Sequence, residues 1–188
     1  TTVKPYAACS DIHPMIQAAA ELRTIHRIVP DRIVRIDAEG PTKAATQNDI
    51  DGTVSVMAAQ YSAQFNIAAA LIADPSDPAT YDPANLTNPA LGALQAKVAT
   101  VTAAAEFDET YAWKVGGRVR ITLDDGSVLE RTVIGQKGSM HSPLTPAELD
   151  QKFTGLVGAH RARHLTAAIR TLGAADIDSL SSALRQTE

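Results

Sequence analysis

The 188-residue chain has one cysteine, Cys9, so it cannot form an intramolecular disulfide, and a reducing compartment is the expectation. Aromatic residues make up only 4%, while 45% of the chain is hydrophobic and alanine is abundant. That balance points to a core of closely packed helices with small side chains. Long apolar runs are missing as well. The longest, Ala63 to Ala73, is interrupted by Gln64 and Asn66 and is too short to span a bilayer. No charged-then-apolar leader is visible, so a cytoplasmic location without a membrane partner is expected. Excess positive charge is absent too. The 17 Lys and Arg stand against 21 Asp and Glu, a net charge of −4, which argues against a nucleic-acid partner.

Cofactor motifs are equally scarce. Gly138-Ser139-Met140-His141-Ser142 lacks the spacing of a phosphate-binding P-loop, and the aspartates from Asp74 to Asp82 lack calcium-loop spacing. Cys9 and His13, four apart, have no second ligand pair for a closed zinc site. Nothing in the sequence requires a metal or an organic cofactor.

What is present is α+β patterning. Ile12, Met15, Ile16, Ala19, Leu22, Ile25 and Val29 recur with helical period. Asp11 or His13 is the candidate cap, Pro14 sits in the first turn and Pro30 ends the run. Residues 32–37 predict a strand, residues 40–52 a polar loop with a short turn, and residues 54–73 one long helix buried on several sides in its second half. A proline-rich loop over 74–89 leads to a short helix at 90–97 and a strand at 98–103. Arg118-Val119-Arg120-Ile121-Thr122-Leu123 alternates strictly, Asp125-Gly126 supplies a turn, and Ser127 to Ile134 runs back as the second arm of a β-hairpin. Thr145-Pro146-Ala147-Glu148 is a capping box opening a helix, and two more helices follow over 161–172, stopped by Gly173, and 178–185.

The expected architecture is a small mixed sheet with a hairpin packed on two long helices over residues 1–144, then a helical segment over 145–188. The apolar stripes of that segment (Leu149, Phe153, Leu165, Ile169, Leu180, Leu184) need cover from a helical domain or a partner.

Four segments carry a family resemblance, in order. Lys4-Pro5-Tyr6-Ala7-Ala8-Cys9 with Ile12-His13-Pro14 is similar to the "KPYPxC…H" opening of the small domain of MmgE/PrpD enzymes. Ala59-Gln60-Tyr61-Ser62-Ala63-Gln64-Phe65 through Leu71 resembles the family's "aqfSlpyavAaAL" helix. The hairpin around Asp125-Gly126 is the third segment, and Gly138 through Pro143-Leu144-Thr145 to Lys152-Phe153 resembles the "G…nPls.eel..KF" close. The departures are Ala7 for a second proline, Phe65 where some members have tyrosine, Asn66 at a usually apolar position, and Asp74-Pro75 for Asp-Gly.

The resemblance implies the C-terminal part of a cofactor-independent carbon–oxygen lyase, a hydratase or dehydratase, with decarboxylation or epimerisation as variants. Its substrate would be a small polycarboxylic acid. It also implies a missing helical half carrying most catalytic acids and bases, as a preceding segment or a separate subunit. Thr1-Thr2 is what trimming an initiator methionine would leave, which favours a separate subunit within a homo- or hetero-oligomer. The alternative is a non-catalytic assembly or ligand-binding subunit that keeps the small-domain fold.

Lys4 is the leading catalytic and substrate-binding candidate. The resemblance places it at the cleft, and a lysine stiffened by Pro5 suits a substrate carboxylate and the charge of an enolate-like intermediate. The resemblance also puts Cys9 on the cleft. Ser62 and Phe65, three apart, share a helix face: Ser62 either donates to substrate or permits close packing, and Phe65 serves as core and cleft wall. Ser139 lies in a Gly/Ser loop whose backbone N–H groups suit an anion, if the loop is more than a connection. His13 reads as a capping or interface histidine, and His160 to His164 as a basic, solvated or subunit-facing run.

Overall fold

The computed structural model describes residues 2–52, 55–170 and 177–185. The chain divides into two compact units, Thr1–Leu144 and Thr145–Glu188.

The first unit is built on a four-stranded mixed sheet. A single turn of 3-10 helix at Ser10–Ile12 runs into helix α1 (His13–His26), and strand β1 follows at Ile33–Gly40. Helix α2 spans Thr42–Gln47, α3 Val56–Tyr61 and α4 Ala63–Ile72. Short helices α5 (Pro83–Leu86) and α6 (Pro89–Gln95) occupy the proline-rich region. Strand β2 (Thr102–Ala103) and helix α7 (Ala105–Asp108) precede the hairpin of β3 (Gly116–Leu123) and β4 (Val128–Ile134). The sheet order is β2-β1-β3-β4, with β1–β2 parallel and the other pairs antiparallel.

Helix α1 lies against β3 and β4, and α4 packs on α1 and on α6. Met15, Ile16, Ala18, Ala19 and Leu22 of α1 are buried, opposite Ile36, Ala38, Val119, Ile121 and Val133 of the sheet. Each such large aliphatic side chain, fully buried, contributes about 1.5–3 kcal/mol. The opposite face of the sheet carries charges in register: Arg118 pairs with Glu39 at 2.6 Å across β3–β1, and Arg120 with Glu130 at 2.6 Å across β3–β4. Alternation along β3 therefore sorts core from solvent.

Several boundaries differ from the sequence expectation, each for a local reason. The cap of α1 is Ile12, with no side-chain cap from Asp11 or His13, because the preceding 3-10 turn supplies the entry. The helix stops at His26, ahead of Pro30, where Arg27 turns left-handed (φ 50°), and Ile25 and Val29 are left exposed. In β1 a register shift between Ile33 and Arg35 turns Val34 outward. Residues 98–103 form only a two-residue strand, preceded by an isolated parallel bridge from Val98 to Ile36.

The expected single helix over 54–73 is two. Ser62 adopts extended geometry (φ −75°, ψ 117°) and caps α4 by accepting from the Phe65 N–H at 3.1 Å. The carbonyls freed by the break do not go unsatisfied. Asn66 Nδ2 donates to Ala59 O at 2.7 Å and to Ser62 O at 2.8 Å, and Asn48 Nδ2 donates to Tyr61 O at 2.8 Å. Asn66 thus has a structural reason to be polar, and Tyr81 donates to its Oδ1 at 2.5 Å. Every residue from Ala63 to Leu71 is buried, as the apolar composition of this stretch implies.

The hairpin closes as the Asp-Gly signal requires. Gly126 (φ 80°) donates to Leu123 O at 3.0 Å, and Leu123 N donates to Ser127 O at 2.9 Å. This is a type I turn followed by a left-handed residue.

The second unit holds α8 (Pro146–Val157), α9 (Ala159–Arg170) and α10 (Ile177–Arg185), with α9 packed against both others. The Thr145–Glu148 capping box is formed on both sides. Ala162 and Leu165 are buried, while Leu149, Leu156, Ile169, Ile177 and Leu184 are exposed. The expected helix stop at Gly173 lies outside the described residues.

Candidate substrate-binding cleft

One cleft in the first unit brings chemistry-bearing side chains together. It encloses about 390 Å³, and Lys4, Asp11, Trp113, Lys114, Gln136 and Ser139 are among the residues lining it. That volume falls within the usual range for small-molecule sites.

The N-terminal segment forms one wall and is fixed at several points. Val3 N donates to Gly138 O at 2.9 Å, and Cys9 N donates to Gln60 O at 2.9 Å. Tyr6 is buried, with its ring edge-on to His13 at 5.1 Å between centroids. Burial, then the carboxylates of Glu21 and Asp74, raises the Tyr6 phenol well above its ordinary range. Lys4 is exposed on this segment, and its Nζ donates to Ala8 O at 3.1 Å. His13 is buried in the core with Nε2 3.2 Å from the same carbonyl, so that nitrogen carries the proton.

Asp11 is the acid of the cleft, and it is committed. Tyr111 donates to its Oδ1 at 3.2 Å, Lys43 Nζ lies 3.4 Å from Oδ2, and Cys9 Sγ donates to Oδ2 at 3.9 Å. Lys43 also sits 5.6 Å from the centroid of the Tyr111 ring, and hydrogen bonding to Tyr111 and the charge of Asp11 raise its pKa. One carboxylate therefore ties the N-terminal segment to α2 and to the stretch before β3.

The other wall is the open end of the hairpin. Residues 111–115 lead into β3 and residues 136–140 leave β4, so pairing of Gly116 with Ile134 sets Lys114 and Gln136 side by side. The Lys114 stem packs on Gly135, where a Cβ would come within 3.1 Å of Lys114 Cε. His141 Nε2 donates to Trp113 O at 3.1 Å and joins the two stretches again.

The residues expected from sequence are only partly brought together. Lys4 and Ser139 line the cleft. Cys9 is half-buried beside it, engaged with Asp11. Ser62 and Phe65 are buried elsewhere: the Ser62 hydroxyl donates to Ile50 O at 2.7 Å, and Phe65, 1% exposed, packs on Tyr81. Most backbone donors of the loop around Ser139 are engaged within the loop itself. Gly138 N donates to Ser142 O at 2.7 Å, Ser139 N to Gln136 O at 3.1 Å, and His141 N to Ser139 Oγ at 3.3 Å. Sequence reasoning missed Asp11, Tyr111, Lys114 and Gln136. The signal for the last two was the hairpin itself, whose register sets them side by side.

A family model, the MmgE/PrpD C-terminal domain, matches residues 6–174. The chain belongs to that family. No curated protein matches it. The MmgE/PrpD match begins just after Lys4, so the lysine is tied to the family by the Lys4-Pro5-Tyr6 resemblance and to the cleft by geometry. Membership in MmgE/PrpD fits a dehydratase-type enzyme part. Among the described residues no helix is long and apolar enough to cross a membrane, and no group of three or more His, Cys, Asp or Glu is placed to hold a metal ion.

Proposed function

We propose that this chain is the C-terminal part of a lyase acting on a small polycarboxylic acid, and that the cleft between Lys4 and the hairpin base is its contribution to the active site. The observation that carries the reading is electrostatic. Lys4 and Lys114 line the cleft, and its acid, Asp11, is already engaged by Lys43 and Tyr111. Such a cleft attracts anions, and two ammonium groups in a partly enclosed site stabilise a carboxylate more than they would in open water.

The chemistry that fits is proton removal next to a carboxylate, with departure of hydroxide from the neighbouring carbon. Lys4 holds the carboxylate and steadies the dianionic, enolate-like state as charge moves onto its oxygens. The base that takes the proton and the acid that assists the leaving group come from a helical half outside this chain, either a preceding segment or a separate subunit. Cys9 lies with its Sγ toward Asp11 and shapes the wall beside Lys4. Ser62 and Phe65 act through packing, holding α3 and α4 in place.

In the assembled enzyme, Lys4→Ala should lower turnover of citrate-like acids about a hundredfold, the size of a lost oxyanion-type contact. Lys4→Arg should rescue only partly, because the planar guanidinium places its charge differently. Unchanged kinetics in a folded Lys4→Ala variant would remove Lys4 from the site. The isolated chain should show no turnover.

A further inference from the structure

We infer that Lys114 is a specificity-determining residue of this cleft: it binds a second carboxylate of the ligand whose first carboxylate is held by Lys4, and so selects di- and tricarboxylates over monocarboxylates. The inference rests on the reading of the cleft as a carboxylate site.

Three observations converge on it. First, Lys4 and Lys114 line the same cleft, and among the described residues no carboxylate forms a salt bridge with either, the cleft's Asp11 being paired with Lys43 instead. Two unpaired cations on one cleft repel each other, and a doubly anionic ligand relieves that repulsion where a singly anionic one leaves half of it. Second, Lys114 is positioned. It is half-buried, and its stem lies on Gly135 at the hairpin base, so little side-chain entropy remains to be lost on binding.

Third, Gln136 is 5% exposed on the same cleft, and its Oε1 has no hydrogen-bond partner. A buried amide oxygen without a partner is costly, and it leaves the amide free to turn about its terminal torsion. On the cleft that Lys114 also lines, that amide can orient a carboxylate by donating its N–H. Trp113 and Met140, both largely exposed, supply apolar surface at the rim for the carbon skeleton.

The test uses the full chain and its single tryptophan, Trp113, whose place on the cleft makes its fluorescence a direct report of occupancy. Succinate and butyrate have the same number of carbons and differ in one carboxylate, so they serve as probes. The wild-type chain should bind succinate more tightly. Lys114→Met, which keeps the stem and removes the charge, should lower succinate affinity roughly tenfold, the loss of one charge-assisted contact, and leave butyrate unchanged. Lys114→Arg should keep the preference, and Lys4→Met should weaken both acids. Lys114→Gln, checked for fold by circular dichroism, repeats the test should the Met variant not fold. A succinate preference that survives loss of the Lys114 charge would overturn this inference and leave the carboxylate cleft standing. No response of the wild-type chain to either acid would overturn both.

Discussion

Gly138 and Gly126 form a matched pair for measuring how firmly the cleft's N-terminal wall is held. Both have left-handed backbones, φ 83° and 80°. Around Gly126 there is open space for a Cβ, whereas at Gly138 a Cβ would collide with the carbonyl oxygen of Val3 and approach Pro5 Cδ to 3.0 Å. Alanine at either position carries the cost of a left-handed L-residue, about 1–2 kcal/mol. At Gly138 alone, relief of the collision pushes Val3 away and gives up the Val3 N to Gly138 O hydrogen bond, worth about 1 kcal/mol. Gly138→Ala should therefore cost about 2–3 kcal/mol and Gly126→Ala about 1–2 kcal/mol. Urea unfolding followed by Trp113 fluorescence reads the first unit, where that residue sits. Because Lys4 adjoins the displaced residue, Gly138→Ala should also weaken succinate binding, and Gly126→Ala should not. Equal stability losses with unchanged binding in both variants would show that the Val3–Gly138 contact does not hold the cleft wall.

Other consequences can be measured on the same chain. Tyr81→Phe leaves the buried Asn66 Oδ1 without its donor and should cost about 1–3 kcal/mol in urea unfolding. Burial raises the Tyr81 phenol, and burial with nearby carboxylates raises that of Tyr6, so the folded state keeps protons the unfolded chain releases. Their contribution is fully present below the unfolded tyrosine pKa near 10 and is lost as pH rises above it, by about 1.4 kcal/mol per pH unit for each group. Tyr81→Phe should reduce that alkaline slope, as urea midpoints between roughly pH 9 and 11.5 would reveal. Ser62→Ala removes the cap of α4 and should lower stability by about 1 kcal/mol without changing succinate affinity. A selective loss of affinity would return Ser62 to the binding site.

The elements whose signal is local were legible in the sequence. The alternation of β3 and β4 around Asp125-Gly126 gave a hairpin, the Thr145–Glu148 box gave the start of α8, and the apolar run from Ala63 gave a fully buried α4. The break at Ser62 was hidden, because it is supported by the side-chain bonds of Asn48, remote in sequence, and of Asn66, a polar residue one turn into α4. Exposure of Val34 followed from a register shift that no propensity records. At the site, Lys4 could be placed by motif, whereas Asp11, Lys114 and Gln136 gain meaning only from one another. Ser62 and Phe65 show the converse: a helical spacing fixes a shared face, but only packing decides whether that face meets a cleft or a core.

The cleft is assembled from residues 2–11, 111–115 and 136–140: the hairpin joins the last two stretches, and most of the first unit separates them from the first. None of them can form it alone, and docking the N-terminal segment on the hairpin base closes a loop of about a hundred residues, so the cleft depends on non-local contacts. A partially folded chain with α1 and the hairpin in place but the N-terminal segment undocked would have no cleft. Ligand bound there then acts as a clasp on the finished fold, and at a hundredfold excess over its dissociation constant it would raise the stability of the whole unit by about 2.7 kcal/mol. If the proposed function holds, newly made chain would in this way be held folded by the ligand of its own cleft.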